Sequence, residues 1–300
     1  MAAERASREY LNLSPQMIID SHQHFWKYDP ARDGWITDEM SLLQRDFFPQ
    51  ELHRECAANG VDGVIAVQAD QSEDETLFLL DLAEKHQFIA GVVGWIDLRS
   101  PAVEERLRFF SQHRKLRAFR HIAQGEPDDQ FLVGHDFTRG ISMLREFGFA
   151  YDLLIYPKQL PAAIELVSRF PEQNFVIDHL AKPPIKIGSL EPWESYMRTI
   201  AQNKTVFCKV SGLVTEADWL HWKSADLRPY LDVLFDAFGP ERLMFGSDWP
   251  VCLLAATYGQ VKGVLEMYVD AHAPQHKKDI FGGNAIRFYG LKAAPRGLAA

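Results

Sequence analysis

Three cysteines in three hundred residues (Cys56, Cys208 and Cys252) are too few and too far apart for a disulfide framework or a CxxC-built structural zinc. They read as reduced, mostly buried thiols of a cytosolic protein. Basic excess is also missing. A net charge of −9 and a pI near 5.7 exclude the electrostatic footprint of a nucleic-acid protein. No run of 18 apolar residues occurs, so no segment predicts a membrane span, and the polar N-terminus lacks a signal-peptide core. Neither GxGxxG nor GxxxxGK[ST] follows any apolar run, which removes the usual dinucleotide and nucleotide phosphate cradles.

What remains is 47% hydrophobic residues with 24% charged, enough for one large core. Eight short runs rich in Val, Ile and Phe are too apolar for one-sided strands and predict buried parallel ones. They are MIID from Met17, VDGVIAVQA from Val61, IAGVVGWI from Ile89, LRAFRH from Leu116, FAYDLLI from Phe149, NFVIDHL from Asn174, TVFCKVSG from Thr205 and RLMFGSD from Arg242.

Helical segments separate these runs. Ser72 and Glu75 stand at the spacing of a capping box. Pro101 follows Ser100 as a first helical residue, Gly148 follows DFTRGISMLREF as a terminator, and Pro161 and Pro171 bracket another helix. Eight strands alternating with helices over about 270 residues predict a single (β/α)8 TIM barrel. The expected organisation is an N-terminal extension over 1–16, a barrel over 17–291 and a loose tail over 292–300. Met17 is a second candidate start.

In such a barrel the chemistry sits where strands end. His22 and His24 close the first strand, and residues two apart on a strand face the same way. Arg117, Arg120 and His121 close the fourth. Asp152 lies in the fifth, Asp178 and His179 close the sixth, Lys209 and Ser211 lie late in the seventh, and Asp248 closes the eighth. Asp248 is the candidate general base, able to take a proton from water and return it to a leaving oxygen. His22, His24 and His179 could polarise a carbonyl directly, or through a bound zinc. Arg120, Arg117 and Lys182 are candidates to hold carboxylates or hydroxyls. Trp26 and Trp249 are candidates to stack on substrate, while Trp35 and Trp95 also lie near strand ends. The segment CKVSGLVTEADW is a candidate lid, with Ser211 and Thr215 as hydrogen-bonding groups.

Together DSHQHFW, VIDHLAKPP, CKVSGLVTEADW, FGSDWPVC and IFGGNAIRFYGL resemble the amidohydrolase superfamily. The likeness is closest to its lactone-hydrolysing branch, the L-fucono- and L-rhamnono-lactonases and 2-pyrone-4,6-dicarboxylate lactonase. It spans about Met17 to Leu291. The resemblance implies that His22 and His24 form the strand-one pair, His179 the strand-six histidine and Asp248 the strand-eight acid. No lysine closes strand four to bridge two metals, and strand five offers Tyr151 and Asp152 in place of a histidine.

One divalent ion at most is therefore expected, zinc first, with His22 and His24 as ligands and His179 or Asp248 nearby; the branch includes metal-dependent and metal-independent members. The expected activity is hydrolysis of a sugar-acid lactone in cytoplasmic sugar catabolism. Hydrolysis of 2-pyrone-4,6-dicarboxylate or metal-dependent non-oxidative decarboxylation of an unsaturated acid are the alternatives. The expected partner is the small-molecule lactone, with no nucleic acid and no membrane; assembly into a homo-oligomer stays open.

Overall fold

A computed structural model describes residues 17–291; the expected extension and tail lie outside the described residues. Eight strands form one parallel sheet in the order β1 to β8, each paired with the next in sequence. They are β1 (Ile19–Gln23), β2 (Gly63–Val67), β3 (Ile89–Gly94), β4 (Leu116–His121), β5 (Ala150–Leu153), β6 (Phe175–Ile177), β7 (Val206–Val210) and β8 (Leu243–Phe245). The sheet closes where β8 runs on beside β1. Ser21 Oγ donates to the Phe245 carbonyl at 2.6 Å, Asp248 N to the His22 carbonyl at 2.8 Å, and His24 N to the Trp249 carbonyl at 2.7 Å. This is the expected (β/α)8 barrel.

Helices α1 (Pro49–Ala58), α2 (Glu73–Lys85), α3 (Val103–Phe110), α4 (His135–Leu144), α5 (Leu160–Arg169), α6 (Trp193–Ile200), α7 (Ser224–Phe238) and α8 (Tyr258–His272) follow successive strands. Their apolar faces and the outer strand faces bury the larger core between them. A smaller core fills the barrel itself, built from Ile65, Val67, Val93, Ala118, Val176 and Met244. Its floor is plugged by α9 (Asn284–Tyr289), where Asn284 Nδ2 donates to the Leu243 carbonyl at 2.5 Å and Phe288, Tyr289 and Leu291 pack upward. The IFGGNAIRFYGL stretch thus serves the end of the barrel away from the polar strand ends.

Only half of the predicted capping box forms. Ser72 Oγ accepts from Glu75 N at 3.2 Å, but the Glu75 carboxylate accepts from Ala69 N at 2.5 Å instead of turning back to Ser72. The carboxylate is committed to the Ala69 N–H and so ties the end of β2 to the start of α2. All three cysteines are buried and free, and no described helix is long and apolar enough to cross a membrane.

Candidate active site

The first strand carries a register shift between Asp20 and Gln23. Alternation would otherwise put Asp20 and His22 on one face. With the shift, Asp20 accepts from Tyr258 Oη of α8 at 2.9 Å and from Ser247 N at 2.8 Å, while His22 points into the barrel. His22 and His24 then meet at the mouth, Nε2 to Nε2, 3.2 Å apart.

Two segments of strained backbone bring the partners. His179, Leu180, Ala181 and Lys182 all hold φ between 49 and 56°, four consecutive non-glycine residues in the left-handed region, and Asp248 holds φ 58°. Each such residue costs roughly 1–2 kcal/mol, so surrounding contacts must hold the turn. Trp193 Nε1 donates to the Leu180 carbonyl at 2.6 Å, and Lys182 N to the His179 carbonyl at 2.7 Å. Asp248 Oδ1 consequently lies 3.4 Å from His24 Nε2, 3.8 Å from His179 Nε2 and 3.9 Å from His22 Nε2. The four residues that the sequence singled out converge on one point.

Each imidazole is held from behind. His24 Nδ1 is 2.8 Å from the Val67 carbonyl, an arrangement that keeps the proton on Nδ1 and leaves Nε2 a lone pair. His22 Nδ1 lies 3.2 Å from Asp178 Oδ1, and His179 Nδ1 lies 3.0 Å from Ser211 Oγ. Burial pushes His22 and His179 well below the usual imidazole range, against the pull of Asp178 on His22 and of Asp248 on His179. Both rings are therefore neutral near pH 7. Burial would raise the Asp248 carboxyl, but His179, His24 and Lys182 outweigh it and hold Asp248 below the usual carboxylate range. It is an anion.

Beneath this group lies a fully buried charge network. Lys209 Nζ contacts Asp152 Oδ2 at 2.5 Å and Asp178 Oδ1 at 3.0 Å, and Arg120 Nη1 donates to Asp178 Oδ2 at 3.0 Å. Tyr289 Oη reaches Asp152 Oδ2 from the floor helix at 2.8 Å. Asp178 would be raised by burial, but Lys209, His22 and Arg120 bring it well below its ordinary value. Asp152, with fewer partners, is pushed by burial up to about 6.

Above the group opens a cavity of about 360 Å³, lined on its polar side by His24, His179, Asp248, Arg120, Lys182 and Glu216. Sequence reading missed Glu216 and Trp219, although both lie in the quoted CKVSGLVTEADW segment; Thr215 of that segment also lines the cavity. Three expectations need correction.

Arg117 is not at the mouth: a Cβ built on Gly91 would lie 3.0 Å from Arg117 Cγ and 3.3 Å from Leu291 Cδ2, which puts Arg117 beside the floor. It lies three residues from Arg120, on the far side of a register shift between β3 and β4. Trp26 and Trp249 do not line the cavity. Trp26 donates its indole N–H to the Arg45 carbonyl at 2.9 Å, and Trp249 packs edge-on against Phe47 with ring centres 5.3 Å apart. The tryptophans facing the cavity are Trp35, 41% exposed, and Trp219. Ser211 supports His179 and is not part of the lining, and Arg120 lines the cavity with its guanidinium already engaged by Asp178 and Gln68.

Gly212, with φ +69°, presses its Cα against the back of His179, where a Cβ would lie 2.8–2.9 Å from the imidazole. Gly212→Ala is expected to displace that ring and lower kcat on the order of 10²-fold, the scale of a misplacement near 1 Å. Steady-state kinetics on the folded variant checks this.

The donor atoms of His22, His24 and Asp248 lie within 4.8 Å of one another. Tetrahedral ligands about 2.0–2.1 Å from a zinc ion stand roughly 3.3–3.4 Å apart, close to the 3.2 Å and 3.4 Å that separate His24 Nε2 from His22 and Asp248. Two ring nitrogens facing each other at that distance need a cation or a shared proton between them. The donor set fits one divalent ion. His22, Asp178 and His179 form a second such group, but Asp178 is already taken up by Arg120 and Lys209.

The family model described as Amidohydrolase matches residues 19–291. An L-fucono-1,5-lactonase of Burkholderia multivorans is 43% identical over 284 residues, 91% of this chain and 96% of its own length. An L-rhamnono-gamma-lactonase of Scheffersomyces stipitis is 27% identical over 223 residues, 65% of this chain and 66% of its own. A solved amidohydrolase from Burkholderia multivorans with bound zinc superposes with a TM-score of 0.89 at 42% identity, covering 92% of this chain and 100% of that one.

Proposed function

The chain belongs to the amidohydrolase family, and on that premise we propose that it opens the ring of a sugar-acid lactone of the L-fucono- or L-rhamnono-lactone type, with Asp248 as general base. It is an enzyme, a lactonase. The observation that carries the reading of the site is the approach of Asp248 Oδ1 to within 3.9 Å of three imidazole nitrogens at the base of a cavity large enough for one sugar ring.

In this reading the Asp248 carboxylate takes a proton from water as the water oxygen bonds to the lactone carbonyl carbon. The ring C–O bond then breaks, and the same proton passes from Asp248 to the departing alkoxide, giving the hydroxy acid. His179, with Ser211 Oγ donating to its Nδ1, carries its proton on Nε2 and donates to the carbonyl oxygen as charge develops there. His22 and His24, with Asp248, would hold one divalent ion, zinc by donor type, which when bound supplies Lewis acidity to the carbonyl and acidity to water. Val67 and Asp178 fix the two ring orientations from behind.

A hydrolysis screen over aldonolactones with a pH indicator tests the reaction. Acid release from an L-fucono- or L-rhamnono-lactone is the expected result, and turnover of no lactone would refute it. For the ion, elemental analysis is expected to find one zinc per chain, and exhaustive chelation to remove most activity until metal is restored. Two tight ions per chain would contradict the assignment. Full activity after chelation would leave the imidazoles as direct hydrogen-bond donors.

A further inference from the structure

Two charged side chains on the cavity wall make or break no bond in the chemistry just described, although the Lys182 charge helps to hold Asp248 as an anion. Lys182 ends the left-handed turn that begins at His179, and Glu216 comes from the segment after β7. Their Nζ and Oε1 atoms are 3.6 Å apart, with about four-fifths of each side chain buried. That separation is longer than a hydrogen bond. The two charges therefore satisfy each other electrostatically, yet each keeps hydrogen-bonding capacity for a third group. Gln124 also lines the cavity, and its buried Oε1 has no partner in the protein.

We propose that the Lys182–Glu216 pair is the specificity element of this cavity, admitting a neutral polyhydroxylated lactone and rejecting a carboxylated one. The proposal rests on the lactonase reading and deepens it. A hydroxyl answers both ends of the pair, donating to Glu216 Oε1 while accepting from Lys182 Nζ. A second hydroxyl can donate to Gln124. A substrate carboxylate has no equivalent place.

A carboxylate can accept from Lys182 Nζ but has nothing to donate to Glu216 Oε1, and two carboxylates beside one ammonium in a mostly buried position repel. The other cation facing the cavity, Arg120, is held by Asp178 at 3.0 Å and by Gln68, and Arg117 sits at the floor. Arg120 keeps only its buried Nε–H without a partner, so among the described residues every cation lining the cavity is already paired with an acidic group.

The test compares wild type with Glu216→Gln and Lys182→Met, using L-fucono-1,4-lactone and 2-pyrone-4,6-dicarboxylate as probes. The first probe gives kcat and KM, and the second a competitive inhibition constant. Trp35 and Trp219 line the same cavity, so fluorescence titration reports binding of both probes even if neither is turned over. Absence of lactone turnover in the wild type would thus count against the enzymatic reading alone.

Glu216→Gln is expected to weaken the neutral lactone at least 10-fold, mostly in KM, and to tighten the dicarboxylate at least 10-fold. Lys182→Met should weaken both, and the dicarboxylate should not recover. An unchanged ratio between the two probes in Glu216→Gln, or a wild type that prefers the dicarboxylate, would overturn the proposal. Circular dichroism on each variant separates loss of selectivity from loss of fold.

Discussion

Asp248→Asn is expected to lose about 10²–10⁴-fold in kcat on the best lactone, the range typical of a general base. At about 1.4 kcal/mol per decade this is roughly 3–5 kcal/mol of barrier. Asparagine keeps the size of the side chain and one acceptor oxygen, so the contacts of Oδ1 with His24 and His179 can be retained in outline. What it cannot do is carry a proton from water to the leaving alkoxide. The loss should therefore fall on kcat more than on KM, because the missing interaction belongs to the transition state. A folded variant with more than about a tenth of wild-type kcat would show that another group activates the water. Zinc content measured on the same sample shows how far loss of a ligand contributes.

The largest effect on stability is expected at Lys209, which is fully buried between Asp152 and Asp178. Lys209→Met has nearly the right length but leaves two buried carboxylates with one cation fewer. Breaking a buried ion pair from one side costs about 3–5 kcal/mol, readable by denaturant titration. The deficit should depend on pH in a definite direction. Asp152 is already raised by burial to about 6 from an ordinary 3.8, and loss of Lys209 raises it further.

A carboxyl whose folded value exceeds its unfolded value stabilises the fold when protonated, and that stability is lost as pH rises through the folded value. The variant should consequently be closest to wild type near pH 4 and furthest from it at pH 8. A deficit that does not vary with pH across this span would mean that Lys209 acts through packing alone. Because His22 Nδ1 is 3.2 Å from Asp178 Oδ1, the same change should also lower kcat by loosening that ring.

Much of this protein can be read from its chain. Runs such as GVIAV and VFCKV are short, apolar and separated by helices, and burial on both faces in a parallel barrel is the arrangement that hides them. Once the barrel follows, the polar residues at strand ends must share one mouth, and His22, His24, His179 and Asp248 do meet there. That much is local sequence plus one architectural rule.

Tertiary structure alone decided which side of each strand faces in, and with it the chemistry of the cavity. Alternation tells which residues share a face but is silent about register shifts, so the bulge that turns Asp20 outward and His22 inward left no signal. The same holds at β4, where Arg120 reaches the mouth and Arg117 the floor. No propensity predicts four successive left-handed residues from His179 to Lys182, because they persist only through contacts such as the Trp193–Leu180 bond. Tryptophans look alike in a sequence, yet Trp26 and Trp249 fill space while Trp35 and Trp219 face the cavity. Lys182 and Glu216, 34 positions apart, become a pair only because a strained turn and the loop after β7 rise from neighbouring strands. Distances of this kind are properties of the closed barrel, since they depend on where every strand sits at once.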